Sequence, residues 1–278
     1  MDYPDFDEIK KNCNGMLSGH IYRALYETAI SVRSGTLAVE VGAGHAPGTI
    51  SMALGIKQNP VLEKIISFEK IEGGSRENFG GIEKNKEIIN ANIEKYGCTD
   101  EVVMVFSTPE EDIAKIPFDG QPNIGLLFID ADGAIDREFN LLYDRVVEGG
   151  TIVIDDYSDH LKYYHTSGSR VHIDSKHKVT KALVDYYTKQ GFLKFDKVMG
   201  ATWFGFKPAG APKIDRSNQI TVYRDLIHMD TDLHNTKSWG KKAVRMKTTL
   251  LKTIRKKFPG PYNALLDIKH RLEGKSKG

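Results

Sequence analysis

Residues 128–157 read FIDADGAIDREFNLLYDRVVEGGTIVIDDY, and this stretch decides the fold. It begins and ends in short apolar runs, and each run leads into acidic residues. Between the runs, apolar residues recur at intervals of four, three and four: Ile135, Phe139, Leu142 and Val146. This spacing predicts a helix with one apolar face, and the EGG at 148–150 predicts where it ends. Apolar strands joined by a helix are typical of a parallel sheet that is buried on both faces.

The same alternation extends through most of the chain. Near-continuous apolar runs predict five strands, at 36–41, 64–69, 101–106, 124–130 and 151–155. A helix is predicted at about 177–190, and FLKFDKVMGATWFGFKP (192–208) predicts two strands joined by a turn near Gly200. The stretch 158–178 has no clear period and is interpreted as a long loop. The sequence therefore predicts an α/β fold, a doubly wound, mostly parallel seven-stranded sheet that ends in an antiparallel hairpin.

The chain is divided into an N-terminal helical segment (1–35), an α/β domain (36–208) and a C-terminal extension (209–278). In the N-terminal segment, one predicted helical stripe carries Ile21, Leu25, Thr28 and Val32. The extension is basic, since residues 236–278 carry a net charge of +11 and the rest of the chain carries −9. Apolar residues at helical intervals predict a basic amphipathic helix over 236–258. Such a helix suits an anionic membrane surface, the acidic body of the chain or a second subunit, and these alternatives stay open.

The bulk composition excludes several classes of protein. The 278 residues are 40% hydrophobic and 27% charged, as in an ordinary globular protein. No apolar run approaches the roughly 20 residues of a membrane span. The N-terminus has no signal-peptide pattern, so a cytoplasmic protein is expected, with peripheral contact to the inner membrane face if the tail binds lipid. Two cysteines exclude a disulfide framework, and the absence of a basic groove or base-reading motif argues against a nucleic-acid partner.

A glycine loop follows the first predicted strand, in VEVGAGHAPGT (39–49). Gly42 and Gly44 allow the backbone to approach a ligand closely. Glu69, at the end of the second strand, is placed to accept hydrogen bonds from both hydroxyls of an adenosine ribose. The alternative is a tight turn without a ligand. Glu40 would be an awkward neighbour for the pyrophosphate of a nicotinamide dinucleotide but tolerates the ammonium and sulfonium of S-adenosylmethionine, which the charges therefore favour.

Four acids follow two neighbouring strands of the predicted sheet. Asp130 and Asp132 follow the fourth strand, and Asp155 and Asp156 follow the fifth. Carboxylates that converge on one point repel unless they share a proton or bind a cation. Oxygen ligands without cysteine or histidine suit Mg²⁺, Mn²⁺ or Ca²⁺, so the sequence predicts a divalent metal. The alternative is that these residues only cap a helix and form turns.

Together these motifs resemble the class I S-adenosylmethionine-dependent methyltransferases over about residues 15–208. The motifs are EVGAG (40–44), Glu69, FIDADG (128–133) with GGTIVIDDY (149–157), and ATWFGFKP (201–208). Within that class, the acidic pattern is similar to the metal-dependent O-methyltransferases that act on sugar hydroxyls. It is more loosely similar to the catechol and caffeoyl-CoA enzymes.

The resemblance implies roles for individual residues. The implied cofactor contacts are Glu40, Gly42, Gly44, Glu69, Ser107 and Asp130. The implied metal ligands are Asp130, Asp155 and Asp156. Asp132 is the implied general base, and His160 or His165 competes for that role. Ser107 or Thr108 would contact the adenine or cap a helix. Met16, Ser18 and Tyr22 would cover the cofactor or pack in the core. Tyr157, Tyr163 and Tyr164 would border the acceptor. Gly133 stands where the phenol-methylating enzymes carry a lysine, which weakens a phenolic acceptor.

The sequence thus predicts an O-methyltransferase that uses S-adenosylmethionine and Mg²⁺ and acts on a sugar or another small hydroxylated molecule. The alternatives are a metal-independent methyltransferase of the same fold, and a catalytically silent cofactor-binding module that its basic tail recruits to a partner. The acceptor and the oligomeric state, a homo-oligomer included, stay open.

Overall fold

A computed structural model describes residues 3–71, 81–130, 135–160, 162–166 and 170–213 of the chain. The side chains of 162–166 and 170–174 are not described. All described residues belong to one compact unit, Met1–Tyr223. The predicted tail helix over 236–258 and the predicted base Asp132 lie outside the described residues, so their roles stay predictions.

The central feature is a seven-stranded sheet with the order β3-β2-β1-β4-β5-β9-β8. Its strands are β1 (Leu37–Val41), β2 (Lys64–Phe68), β3 (Val102–Val105), β4 (Ile124–Ile129), β5 (Val146–Ile154), β8 (Lys194–Met199) and β9 (Thr202–Phe206). The first five are parallel, and β9 pairs antiparallel with β5 and β8. The strand order reverses between β1 and β4, which makes their carboxyl ends the switch point where ligands bind in such sheets. The predicted sheet is confirmed.

Helices cover the sheet. They are α1 (Phe6–Asn12), α2 (Gly19–Ser31), α3 (Pro47–Ile56), α4 (Ile82–Lys95), α5 (Pro109–Asp112), α6 (Ile135–Leu142) and α7 (Lys176–Lys189). Helix α2 buries Ile21, Leu25 and Thr28, as its apolar stripe predicts. It packs against α3, which is buried along most of its length. Strand β1 is buried at every position, and this explains why four of its five residues are apolar.

Two predictions about the second half of the chain are wrong. The helix before β5 ends at Leu142 rather than at the EGG of 148–150, and β5 already begins at Val146. Val146 is fully buried and pairs with Ile124, so tertiary pairing overrides the helical spacing there. Gly149 lies inside β5 with φ 76°, where the register between β4 and β5 shifts.

The stretch interpreted as a long loop contains a separate hairpin, β6 (Lys162–Thr166) and β7 (Arg170–Asp174). Its strands hold few of the aliphatic residues by which buried strands are recognised, so the sequence pattern did not reveal it.

No described helix is long and apolar enough to cross a membrane. The two cysteines, Cys13 and Cys98, are buried free thiols, and burial raises the pKa of each to about 11.

Candidate active site

The candidate site lies at the carboxyl ends of β1, β2, β4 and β5, which backbone hydrogen bonds hold in register. The N–H of Gly42 donates to the carbonyl of Phe68 at 2.9 Å. On the other side of β1, the N–H of Asp130 donates to the carbonyl of Val41 at 2.8 Å, and that of Asp155 to the carbonyl of Ile129 at 2.9 Å. The parallel ladder therefore continues to the last residues of the strands and brings the predicted site residues to one edge.

The glycine loop joins β1 to α3. Gly42 and Gly44 have φ angles of 95° and 57°, in the region that favours glycine. Ala46, which precedes the first turn of α3, has φ 70° although it is not a glycine. A Cβ atom added at Gly44 would have no heavy atom within 4 Å, so the backbone there borders open space. The loop leaves room for a ligand beside its second glycine.

Glu69 holds the loop from the end of β2. Its Oε2 atom accepts a hydrogen bond from the N–H of Gly44 at 2.7 Å, and the side chain is buried. The backbone N–H of Glu69 donates to the carbonyl of Val105 in β3 at 3.0 Å, which fixes the backbone of Glu69. The acid predicted for ribose binding therefore lies next to the open glycine loop.

Glu40 is directed into the protein. It is 1% exposed, and its Oε2 atom accepts hydrogen bonds from the hydroxyls of Thr49, at 2.5 Å, and Ser67. A Cβ atom at Gly48 would lie 2.5 Å from its Oε1 atom, so a larger residue at this position of α3 would displace the Glu40 carboxyl group. Burial raises the pKa of Glu40 to about 7, although both hydroxyls oppose the shift. Glu40 thus joins β1, β2 and α3, and its predicted contact with the cofactor stays a prediction.

A cavity lies beyond the glycine loop, towards β3 and α6. Its lining includes Gly42, Phe68, Ser107, Asp130 and Glu138. The hydroxyl of Ser107 donates to Asp112 at 2.6 Å, which leaves the Ser107 oxygen as an acceptor towards a ligand.

Thr108 caps α5 through a reciprocal capping box with Glu111. The structure therefore gives Thr108 the role of a helix cap, one of the two roles that the sequence left open.

The acids of β4 and β5 converge as predicted. Each of Asp130, Asp155 and Asp156 offers a carboxylate oxygen, and these oxygens lie within 4.8 Å of one another. Asp155 and Asp156 are buried, and the hydroxyl of Thr202 at the start of β9 donates to Oδ1 of Asp155 at 2.6 Å. Oxygen donors at this spacing form a donor set for a hard divalent cation.

The electrostatics of this acidic cluster, Asp130, Asp155 and Asp156, disfavour three negative charges. Burial raises the pKa of Asp130 well above its ordinary value, and the charges of the other two acids raise it further. Burial also raises the pKa of Asp155, against the hydrogen bond from Thr202. Lys176 favours the ionised form of both Asp130 and Asp155. A cation added to the cluster would stabilise it for the same reason.

Two residues of α7 contact the third acid. The Nζ atom of Lys176 lies 2.5 Å from Oδ2 of Asp156, and Nε2 of the buried His177 lies 3.1 Å from Oδ1. Asp156 itself has φ 61°, a left-handed conformation that few non-glycine residues adopt. The N–H of the next residue, Tyr157, donates to the carbonyl of Ala201 at 2.6 Å and holds the turn.

Other predicted site residues lie in different surroundings. His160 is exposed, and its backbone N–H donates to the hydroxyl of Ser158 at 3.4 Å. Tyr157 donates its hydroxyl to Asp185 of α7 at 2.8 Å. Tyr22 is buried, its oxygen accepts from the N–H of Leu17 at 3.2 Å, and the nearby charges of Asp130 and Glu40 add to the effect of burial in raising its pKa.

The sequence reasoning missed Thr202, Lys176 and His177. Thr202 was detectable in principle, because a hairpin strand paired with β5 places it opposite the end of that strand. Lys176 and His177 carried no signal, since only the return of α7 after the β6–β7 hairpin brings them to Asp156.

A comparison with protein-family models finds no match, and a comparison with curated proteins finds no relative.

Solved structures share the fold. The chain is similar to the O-methyltransferase TomG from Streptomyces achromogenes, which is involved in tomaymycin synthesis and was solved with S-adenosylmethionine (12% identity, TM-score 0.54, 75% of this chain and 92% of that chain). It is also similar to an O-methyltransferase from Bacillus cereus in complex with S-adenosylhomocysteine (15% identity, TM-score 0.53, 74% of this chain and 92% of that chain). A methyltransferase from Podospora anserina with the same ligand gives 13% identity, a TM-score of 0.52 and coverage of 74% and 88%. With this sheet order and this loop, the described part of the chain has the fold of the class I methyltransferases.

Proposed function

We propose that this protein is an S-adenosylmethionine-dependent, divalent-metal-dependent O-methyltransferase that acts on a hydroxyl of a sugar or another small hydroxylated molecule. The observation that carries the proposal is the acidic cluster. Its three oxygens lie within 4.8 Å of one another at strand ends next to the glycine loop. Solved structures with this fold contain S-adenosylmethionine or S-adenosylhomocysteine, which supports the choice of cofactor.

The residues present fit the methyl donor. The open space beside Gly44 allows a ligand to approach the loop backbone. Glu69 is fixed at the neighbouring strand end, where a carboxylate accepts the hydroxyls of a ribose. The cavity lined by Gly42 and Ser107 lies next to this strand end, towards β3.

The residues present also fit a hard divalent cation. The three donors are carboxylates, and burial together with mutual repulsion raises the pKa of Asp130. Two of the carboxylates are buried, so a bound ion would be partly shielded from water. Asp130, Asp155 and Asp156 would hold the metal, and Thr202 would orient Asp155 from behind.

The chemistry divides between the ligands and the chain. When bound, S-adenosylmethionine would supply an activated methyl group, and its transfer would form a C–O bond to the acceptor oxygen and return the C–S electron pair to sulfur. A divalent cation supplies a Lewis acid that lowers the pKa of the acceptor hydroxyl. Glu69 orients the donor, and the acidic cluster orients the acceptor side. The hydroxyl proton goes to a general base, for which Asp132 is the candidate from the sequence and His160 the competitor.

The acceptor is proposed only as a class. Gly133 stands in place of the lysine that the phenol-methylating enzymes carry, which favours an alkyl hydroxyl over a phenol. The segment that follows Asp156 contains several tyrosines and histidines, and aromatic side chains suit stacking against a sugar ring. The β6–β7 hairpin in this segment is a candidate for acceptor recognition.

One observation favours a second candidate, a metal-independent methyltransferase of the same fold. Lys176 already supplies a positive charge to the acidic cluster, at 2.5 Å from Asp156. One ammonium balances only one of three carboxylates, so the metal-dependent reaction is the better supported of the two.

The test combines binding and transfer. Purified protein is treated with EDTA, and isothermal titration calorimetry then measures the binding of S-adenosylhomocysteine and of Mn²⁺. Transfer from labelled S-adenosylmethionine is assayed on a panel of sugars, nucleotide sugars and phenols. We expect cofactor binding without metal, and transfer to a sugar-type hydroxyl that EDTA abolishes and Mg²⁺ restores. Transfer that survives EDTA would support the second candidate, and the absence of cofactor binding would contradict both.

A further inference from the structure

Glu138 is a buried acid to which neither the fold nor the proposed reaction has yet given a role. It lies in the middle of α6, and its side chain is 2% exposed. Its neighbour in sequence, Arg137, donates to Oε1 from Nε at 2.6 Å. The other oxygen, Oε2, is shielded from water and has no hydrogen-bond partner among the described residues. A buried acceptor without a donor is costly, and such an atom is a candidate for a ligand contact.

The same side chain lines the cavity that begins at the glycine loop. The cavity is also lined by Ser107, Thr108 and Pro109, which follow β3, and by Val41, Gly42 and Phe68 at the ends of β1 and β2. Helices α5 and α6, which carry Pro109 and Glu138, pack against each other. Glu138 and Ser107 therefore line the same cavity, whose lining does not include Asp155 or Asp156.

The position of Glu69 decides which part of the donor reaches this side. If Glu69 binds the ribose, the sulfonium must lie towards the acidic cluster, where transfer takes place. The base, attached to the other end of the ribose, then lies towards Ser107 and Glu138. Adenine presents a 6-amino group, which donates hydrogen bonds, beside a ring nitrogen, which accepts them.

We infer that Glu138 accepts a hydrogen bond from the 6-amino group of the cofactor's adenine and makes the site selective for adenine over hypoxanthine. The inference rests on the proposed use of S-adenosylmethionine. A carboxyl group offers an acceptor oxygen in either protonation state, so the contact with the 6-amino group does not depend on the ionisation of Glu138. The rejection of a 6-oxo base needs the ionised carboxylate, which the hydrogen bond from Arg137 favours. Burial raises the pKa of this carboxyl, against the opposing effect of Arg137.

Hypoxanthine carries a carbonyl oxygen in place of the amino group. Two acceptors would then face each other in a buried site, with no water to separate them, and the 6-oxo base would be rejected. The hydroxyl of Ser107 cannot resolve this conflict while it donates to Asp112.

The test compares two ligands that differ only at this position, S-adenosylhomocysteine and S-inosylhomocysteine, by isothermal titration calorimetry on the full chain. The wild type is expected to prefer the adenosyl ligand by about tenfold or more. Glu138→Ala is expected to weaken adenosyl binding about tenfold and to reduce the preference to within about twofold. Glu138→Gln, whose amide also donates, is expected to bind the inosyl ligand more tightly than the wild type does.

Glu110→Ala is the matched control, since Glu110 is an exposed glutamate in α5, and it should keep the wild-type preference. A wild type that binds neither ligand overturns the proposed function and this inference with it. A wild type that binds S-adenosylhomocysteine, with an unchanged preference in folded Glu138→Ala, overturns this inference alone. If the alanine variant does not fold, Glu138→Gln decides, and an unchanged inosyl affinity in it has the same meaning.

Discussion

The edge of the sheet has two halves, the ends of β1 and β2 and the ends of β4 and β5. Both carry acidic side chains, but the surroundings of these side chains differ. At the ends of β1 and β2, Glu40 accepts from two buried hydroxyls, and Glu69 accepts from the backbone of the glycine loop. At the ends of β4 and β5, three aspartates face one another. Among the described residues, the hydroxyl of Thr202 donates to Asp155, and Lys176 and His177 of α7 lie at ion-pair distance from Asp156.

The difference shows what each half needs from outside. The β1–β2 half is closed by its own hydrogen bonds, and its acids hold the loop in shape. Among the described residues, the β4–β5 half sets the ammonium of Lys176 against three carboxyl groups. Buried like charges are stable only with protons or a cation among them. We therefore propose that the first half holds the methyl donor and that the second half binds a cation.

The largest expected effect separates the two halves by mutation. Asp155→Ala should lower the affinity for Mn²⁺ by more than about 100-fold, because a direct ligand is lost, and should abolish transfer. It should leave the affinity for S-adenosylhomocysteine within about twofold. Glu69→Ala should do the reverse: it should lower the affinity for S-adenosylhomocysteine by about 10- to 100-fold and leave Mn²⁺ binding in place. Calorimetry with each ligand measures all four values.

Two exposed acids serve as controls for this cross pattern, Asp159→Ala and Glu63→Ala, and neither should change either affinity. If Asp155→Ala weakens both ligands equally, the two halves are not independent, and the comparison fails.

The second effect concerns pH and the β1–β2 half. The folded pKa of Glu40 is about 7, against 4.5 for an ordinary glutamate. Between these values the unfolded chain releases this proton and the folded chain keeps it, so the free energy of unfolding should fall as pH rises. The loss should be about 3 kcal/mol in total and complete above pH 7. Urea denaturation of the wild type and of Glu40→Gln at intervals from pH 4.5 to 7.5 measures it.

Glu40→Gln has no carboxyl to titrate and should lack this component of the pH dependence. Parallel curves for the two proteins would show that Glu40 is ionised in the folded state throughout. The β1–β2 half would then carry an unbalanced charge like the other half, and the contrast between them would be lost.

The smallest effect concerns the ammonium of Lys176 at the acidic cluster. Lys176 and a divalent cation repel each other when both lie beside Asp156. Lys176→Met should therefore tighten Mn²⁺ binding by about tenfold, or about 1.4 kcal/mol. Calorimetry at constant ionic strength measures the change. Lys178→Met, which removes the same charge from the same helix, should change it little. Weaker binding in Lys176→Met would mean that Lys176 positions Asp156 instead of competing with the metal.

The parallel strands were predictable because their sequence is locally consistent. A strand buried on both faces needs apolar residues at successive positions, and β1, β2, β4 and the end of β5 have them. The convergence of Asp130 with Asp155 and Asp156 followed from strand order alone. The extent of β5 and the β6–β7 hairpin did not follow, because pairing partners distant in sequence decide them.

The sequence by itself determined the order of strands and helices, the glycine loop and the edge at which the acids meet. These depend on local periodicity and on the regular pairing of parallel strands. Only the tertiary structure decided how each acid is balanced among the described residues: Glu40 by Thr49 and Ser67, Asp156 by Lys176, and Glu138 by Arg137 at one oxygen alone. Charge balance depends on distances between side chains from separate elements, and one sequence carries no record of those distances.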